Sequence, residues 1–321
     1  MKKYRSKANA NIALVKYWGK ENEELIIPKN SSLSLTLDSL YTITEVSFIK
    51  SDRDEFYLDD KLQGDKETEK ISTYIDIFRE KSNIQKRVLI KSYNHVPTAA
   101  GLASSASGYA ALAMGLNKLF ELNLSQSEIS KLARRGSGSA SRSIFGGFVE
   151  WVKGDNDDNS YAKKIDDANW DIAMIILVLN ENKKKISSRE AMKKTIETSP
   201  MYEAFTNAQQ SDIDNIKIAI DNRDFNKIGE ITEHNAMKMH SVIMSSNPPI
   251  IYFEESSIKA INKIKELRTK GYSVYYTMDA GPNVKILCKK TESKEIINLL
   301  KNDFDNIIYS DVGSDAIVEE I

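Results

Sequence analysis

Residues 97–108 read PTAAGLASSASG and run straight into an alanine-rich helix predicted over 107–120. The stretch packs two glycines, four alanines and three serines into a dozen residues. Small side chains let the backbone come close to a ligand, and the free N–H groups at a helix start favour an anion. The hydroxyls of Ser104 and Ser105 add donors for phosphate oxygens or a ligand for a metal ion. A tight loop packed small-on-small against a strand is the plainer reading; the serines gathered at the helix start favour phosphate binding. No Gly-Lys-Ser/Thr follows, so this is neither a Walker loop nor a dinucleotide fingerprint.

Around this stretch the first half of the chain mixes strands and helices. Alternation and β-branching predict strands at 43–48, 87–92 and 147–152. Helices are expected at 67–81 and 125–135, the latter opened by Ser125 and Glu128 at capping-box spacing. The polar, turn-rich residues 153–164 read as a hairpin or surface loop, and the apolar run 170–179 as a central strand. Beyond Asn180 helices dominate: 190–199, 212–222, and 225–244, broken by Pro248-Pro249. Then follow helix 255–270 with Gly271 as its stop, strand 272–278, turn 279–282, strand 283–289, helix 292–302 and strand 306–309. That order suits a ferredoxin-like split unit. The expectation is therefore two α+β lobes, residues 1–180 and 181–321.

A chain of 321 residues has room for two cores, and 41% hydrophobic residues suit a globular protein. Lys plus Arg number 45 against 46 Asp plus Glu, which argues against a nucleic-acid or anionic-membrane partner. The first residues carry no apolar run or cleavage site of a secretory leader, and the longest apolar stretch, 172–179, is strand-sized. The single cysteine, Cys288, excludes an intramolecular disulfide and a cysteine-cluster metal site, and its apolar neighbours make it buried filler. A cytoplasmic location is the simplest expectation.

Three further segments carry chemistry. Residues 134–147, RRGSGSASRSIFGG, hold four serines, four glycines and three arginines after a helix. The planar fork of arginine matches carboxylate or phosphate. Arg142, inside the serine–glycine run, is expected to meet a ligand, whereas Arg134 and Arg135 are expected to be solvated at the helix end. Residues 16–20, KYWGK, flank two aromatics and a glycine with lysines, as in a walled site. Residues 278–283, MDAGPN, form a turn between apolar strands, where an aspartate is often structural. Of the histidines, His95 precedes the small-residue loop. His234 and His240 lie six apart on one helix, so no zinc site is expected. GxSxG and Ser–His–Asp arrangements are missing too.

Taken in order, PTAAGLASSASG, ANIALVKYWGK, NSSLSLTLD, RRGSGSASRSIFGGFVEW and MDAGPNVKI resemble the diphosphomevalonate decarboxylases of the GHMP kinase superfamily, in their bacterial form. The likeness runs from about Lys7 to Lys289. The pair His95-Val96 and the tail after Tyr309 are less typical of it. It implies an α+β GHMP kinase fold: an N-terminal lobe like ribosomal protein S5 domain 2, a ferredoxin-like C-terminal lobe, and the active site in the cleft between them. It also implies a homodimer and ATP-dependent conversion of (R)-5-diphosphomevalonate into isopentenyl diphosphate, ADP, phosphate and carbon dioxide.

The resemblance assigns roles too. Asp279 approaches the 3-hydroxyl as base or orienting carboxylate, Arg142 grips the substrate carboxylate, and Ser188 touches substrate from the second lobe while also suiting a helix cap. Ser137, Gly138, Ser139, Ala140 and Ser141 surround Arg142 as substrate contacts. Lys16, Tyr17, Trp18, Gly19 and Lys20 form the diphosphate segment, with Lys70 a further cation. ATP falls to Pro97, Ala99, Gly101, Leu102, Ala103, Ser104, Ser105, Ala106 and Ser107, with Mg²⁺ at Ser105. Lys183–Lys185 either screen ATP phosphates or form a solvated run. The alternatives are a phosphomevalonate decarboxylase, a mevalonate 3-kinase-like enzyme, another superfamily kinase and a non-catalytic nucleotide-binding regulator. The presence of both Asp279 and Arg142 favours decarboxylation.

Overall fold

A computed structural model describes residues 2–95, 104–182 and 186–321. Pro97, Ala99, Gly101, Leu102, Ala103 and Lys183–Lys185 lie outside the described residues, as does the side chain of Ser104. The chain opens with β1 (Lys3–Val15), β2 (Lys20–Asn22), β3 (Ile27–Pro28), β4 (Ser32–Ile49), β5 (Glu55–Leu58) and β6 (Lys61–Leu62). Next come α1 (Asp65–Ser82), β7 (Arg87–His95), α2 (Ser104–Leu119), α3 (Gln126–Gly136), β8 (Phe148–Trp151) and β9 (Ala162–Asp166). The second half runs β10 (Ala173–Leu177), α4 (Ser188–Thr198), α5 (Tyr202–Asp221), α6 (Phe225–Met244), α7 (Glu255–Thr269), β11 (Val274–Met278), β12 (Val284–Cys288), α8 (Ser293–Leu300), β13 (Ile307–Ser310) and β14 (Ile317–Glu320).

The first sheet follows the order β14-β1-β4-β7-β5-β6, with β8 on β4 and β9 on β8. β4 is its spine: Ser32–Leu35 pair with β8, and Tyr41–Ile49 pair with β7. Along its first half Leu33, Leu35 and Leu37 alternate with Ser32, Ser34 and Thr36. Period-2 geometry sends the leucines to one face, where they join a core with α5 and α6, and the hydroxyls to the other. On the far side β1 and β4 pack against α2, whose small residues permit close approach; a Cβ on Gly115 would lie 3.0 Å from Val46.

The second sheet is antiparallel in the order β11-β12-β10-β13, which is the split β-α-β arrangement expected from the sequence. Helices α5 and α6 fill the space between the sheets, while α7 and α8 cover the outer face of the second. This layering puts the end of β1, the start of α4 and the β11–β12 turn around one cleft.

The proposed division at residue 180 needs correction. The run 173–177 is a central strand of the second sheet, and 317–320 return to the first sheet as the antiparallel edge partner of β1. Hydrophobicity marked the strand at 173–177 without saying which sheet would take it. The return is held by backbone bonds from Gly147 N to Gly313 O and from Gly313 N to Thr36 O. Helix α5 also starts ten residues before its predicted onset, because nothing in 202–211 breaks a helix.

Candidate active site

A cavity of about 360 Å³ opens between the lobes. It is lined by Lys16, Tyr17, Trp18 and Lys20, by Ser105, Ser137, Gly138, Ser139 and Arg142, and by Ser188 and Asp279, so four separate sequence motifs meet in it. Asn11, Ile26, Arg189, Met192 and Met239 line it as well, none of which the sequence reading had placed there.

The turn after β1 is fixed from both lobes. Asn235 on α6 accepts from Lys16 N at 2.8 Å, and Asn30 donates to Lys16 O at 2.9 Å. Trp18 O accepts from the Tyr202 hydroxyl at 2.7 Å, which brings that ring under Gly19. Gly19 sits at φ +126°, and a Cβ there would fall 1.9 Å from the Tyr202 oxygen, so glycine is required on both counts. Tyr17 packs on Trp151 with ring centroids 4.8 Å apart. A Cβ on Gly138 would strike the same Trp151 ring at 2.7 Å, so glycine lets the serine run close against this wall.

Asp279 occupies the β11–β12 turn, and two buried lysines hold it. Lys16 Nζ lies 2.8 Å from Oδ1 and Lys285 Nζ 3.1 Å from Oδ2, each lysine side chain being 2% exposed and the aspartate 30%. Burial pushes the Asp279 carboxyl up, but Lys16 and Lys285 outweigh it and hold the group well below the usual carboxylate range. Burial lowers Lys16 despite Asp279. Beneath the cluster His240 is buried, and burial followed by the nearby Lys16 charge pushes it down to about 4.

Arg142 rests on the short 3₁₀ turn Gly138–Ile144 that follows α3. Its Nε donates to Asn11 Oδ1 at 3.2 Å and to Ser34 Oγ at 3.0 Å, and its Nη1 donates to Ser32 Oγ at 2.6 Å. These are the hydroxyls of β4, so the alternation of that strand builds the seat. Among the described residues no carboxylate forms an ion pair with Arg142, and no acceptor meets Nη2. Burial pushes its guanidinium down to about 10. A desolvated cation with only neutral partners is a ready-made seat for an anion.

Two further cavities adjoin. One of about 520 Å³ shares Lys20, Ile26 and Arg189 and adds Lys70 and Arg135; here Lys20 pairs with Glu23. A smaller one of about 190 Å³ shares Ser105 and is walled by Phe56, Leu58, Ile71 and Leu112. Lys70 thus belongs to a flanking chamber rather than to the central one.

Several expected residues sit elsewhere. Ala106 and Ser107 are buried against the first sheet, Ser107 bonding to Thr42 at 2.8 Å, and neither lines the central cavity. Ala140 belongs to the core under α2 and α3, and the Ser141 hydroxyl donates to Gly138 O at 2.8 Å. Arg134 is not solvated: it is fully buried, donates to Ser160 O at 2.7 Å and pairs with Asp157, tying α3 to the β8–β9 hairpin. Arg135 keeps partial exposure at the edge of the larger flanking chamber. The cap of α4 is Ser187, which forms a capping box with Glu190, so Ser188 is not the cap and lines the cavity from the first helical turn.

Fold and cavity together define a two-lobed enzyme whose active cleft is built to receive an organic anion. Residues 8–162 match the diphosphomevalonate decarboxylase-like N-terminal domain, and residues 174–317 match the mevalonate 5-diphosphate decarboxylase C-terminal domain. The diphosphomevalonate decarboxylase of Candida albicans is 36% identical over 318 residues, covering 94% of this chain and 88% of that protein. The human one is 35% identical over 305 residues, covering 87% and 75%. The crystal structure of the Staphylococcus aureus mevalonate diphosphate decarboxylase superposes with a TM-score of 0.95 at 46% identity, covering 100% and 98% of the two chains. A solved complex of MDDEF with MVAPP, AMPPCP and magnesium gives 0.94 at 42% identity, covering 99% of each. The chain belongs to the diphosphomevalonate decarboxylase family and has its GHMP kinase fold.

Proposed function

We propose that the chain catalyses ATP-dependent decarboxylation of (R)-5-diphosphomevalonate to isopentenyl diphosphate, with ADP, phosphate and carbon dioxide as the other products. The observation that carries this reading is that Arg142, a buried cation with no ion pair among the described residues, and Asp279, a carboxylate kept ionised, line one cavity beside a cationic chamber. The substrate carboxylate completes Arg142 through Nη2. The 3-hydroxyl donates to Asp279, which orients its oxygen for phosphoryl transfer; a carboxylate clamped by two lysines orients better than it takes up a proton. Ser188 and Ser139 bracket the substrate from the two lobes. Lys20, Lys70, Arg135 and Arg189 gather around its diphosphate.

ATP supplies the phosphoryl group that turns a tertiary hydroxyl into a leaving group, and Mg²⁺ neutralises the charge of its phosphates. Ser105, at the start of α2 and on the cavity wall, suits this role. Mg²⁺ carried largely by nucleotide phosphates and water needs few protein ligands. The apolar chamber beside Ser105 suits the nucleotide base. Breaking the C–C bond then sends its electron pair into the new alkene as the 3-phosphate leaves, and Arg142 holds the carboxylate until it departs as carbon dioxide.

Among the described residues no helix is long and apolar enough to cross a membrane. The family likeness supports a cytoplasmic homodimer, which sedimentation velocity would check. The defining experiment supplies ATP, Mg²⁺ and 5-diphosphomevalonate and measures carbon dioxide with ADP. Equal yields of both establish the reaction. ADP alone would make the protein a 3-kinase, and preference for the 5-monophosphate would overturn the diphosphate assignment.

A further inference from the structure

β12 reads VKILC, and every one of its residues is buried. A lysine in the middle of such a strand costs desolvation energy that only a partner can offset. Lys285 finds that partner at the β11–β12 turn: its Nζ lies 3.1 Å from Asp279 Oδ2 and 3.3 Å from Asn283 O. Lys16 reaches the other oxygen from the first lobe, its own Nζ anchored on Ala13 O at 2.7 Å. One carboxylate therefore faces two buried ammonium groups, although a single lysine would neutralise it.

We propose that Lys285 is a positioning residue of the reaction: it grips Oδ2 of Asp279 from the second sheet while Lys16 grips Oδ1 from the first, so the carboxylate is fixed in rotation across the cleft. A carboxylate held at one oxygen still turns about its Cβ–Cγ bond, and a second cation on the other oxygen removes that freedom. The plane of the carboxylate is then fixed toward the cavity that it lines, where a substrate hydroxyl is received. Among the described residues the charged and titratable groups around Asp279 are Lys16 after the end of β1, Arg142 on the turn after α3, His240 on α6, and Lys285 itself. This inference rests on the reaction proposed above.

The test is Lys285→Met, which keeps an unbranched side chain one atom shorter and leaves a one-to-one Lys16–Asp279 pair, so no buried charge is orphaned and the variant folds. Turnover of 5-diphosphomevalonate should drop about 10–100-fold in kcat, the size expected of a displaced catalytic group, with KM changed by less than about threefold. The acidic limb of the kcat profile should move toward neutral pH, because removing one cation makes the carboxyl easier to protonate. The side-chain carbonyl resonance of Asp279 in ¹³C-labelled, ligand-free protein should likewise titrate at higher pH in the variant than in the wild type. This resonance reads the clamp without catalysis. An inactive wild type would therefore sink the functional reading and leave the clamp to be judged by the resonance. An unmoved resonance, or a fall in kcat with the acidic limb in place, would show that Lys285 is only structural. A rise in KM with kcat intact would make it a direct substrate ligand and overturn the proposal.

Discussion

Asp279 and Arg142 line the same cavity, yet the protein treats their charges in opposite ways. The aspartate receives two lysines, one from each lobe. Among the described residues the arginine receives only neutral partners: hydrogen bonds with an asparagine and two serines, and the face of Trp151. One charge is over-answered and belongs to the standing machinery of the site. The other is left open, as a charge must be if its partner arrives with the substrate. Burial costs both groups, but only Asp279 is offset by ion pairs, whereas Arg142 is held by neutral hydrogen-bond partners.

The sharpest way to break this contrast is to remove each charge and read stability beside activity. Asp279→Asn should lower kcat by about 10³-fold and, by leaving two buried lysines without an anion, destabilise the protein by about 3–5 kcal/mol. Arg142→Met should lower kcat by about 10²–10³-fold, yet cost only about 1–2 kcal/mol in urea stability, since it orphans neutral hydrogen-bonding groups and no buried charge. Equal losses of stability in the two variants would erase the distinction.

His240 sharpens the side of the comparison that belongs to Asp279. Its folded value of about 4 lies below that of a free histidine, so the unfolded chain binds more protons between about pH 6.5 and 4. Stability should therefore fall as pH drops through that window, by up to about 3 kcal/mol from this group, and His240→Phe should flatten the decline in urea melts. On the side of Arg142, Ser32→Ala should cost about 1 kcal/mol of transition-state binding, seen as a roughly fivefold drop in kcat/KM, because Nη1 loses its hydrogen bond to that hydroxyl. The smallest effect separates neighbours. Ser187→Ala should lower stability by about 1 kcal/mol through loss of the α4 cap, whereas Ser188→Ala should leave the melting temperature alone and raise KM for the phosphorylated substrate.

Where local chemistry decides, the sequence was a good guide. The Ser125–Glu128 box opens α3 as spacing requires, and helix 225–244 and the hairpin strands about residue 279 fall where periodicity put them. The long strands β1 and β4 were mostly invisible. Their polar positions are buried rather than solvated, so periodicity put no strand at the serines of β4, although they form the seat of Arg142. Arg134 was misjudged for a related reason, because its partner Asp157 lies in a distant hairpin that no window about the helix end contains. Arg189 stood beside a residue already singled out. Lys285 carried a visible signal, a lone charge inside an apolar strand, and only its partner was hidden.

The return of residues 317–320 to the edge of β1 also bears on how the molecule is made. Tyr4 finds its neighbour in Glu320, so the first sheet is completed only after the second lobe has been synthesised. Pairings this distant in sequence close slowly, since the whole intervening chain must be ordered before they are rewarded. Until then the outer edge of β1 stays open, a surface on which a nascent chain is most prone to pair with a stranger. The second lobe folds in the interval, so the architecture makes biosynthesis a matter of finishing what was begun first.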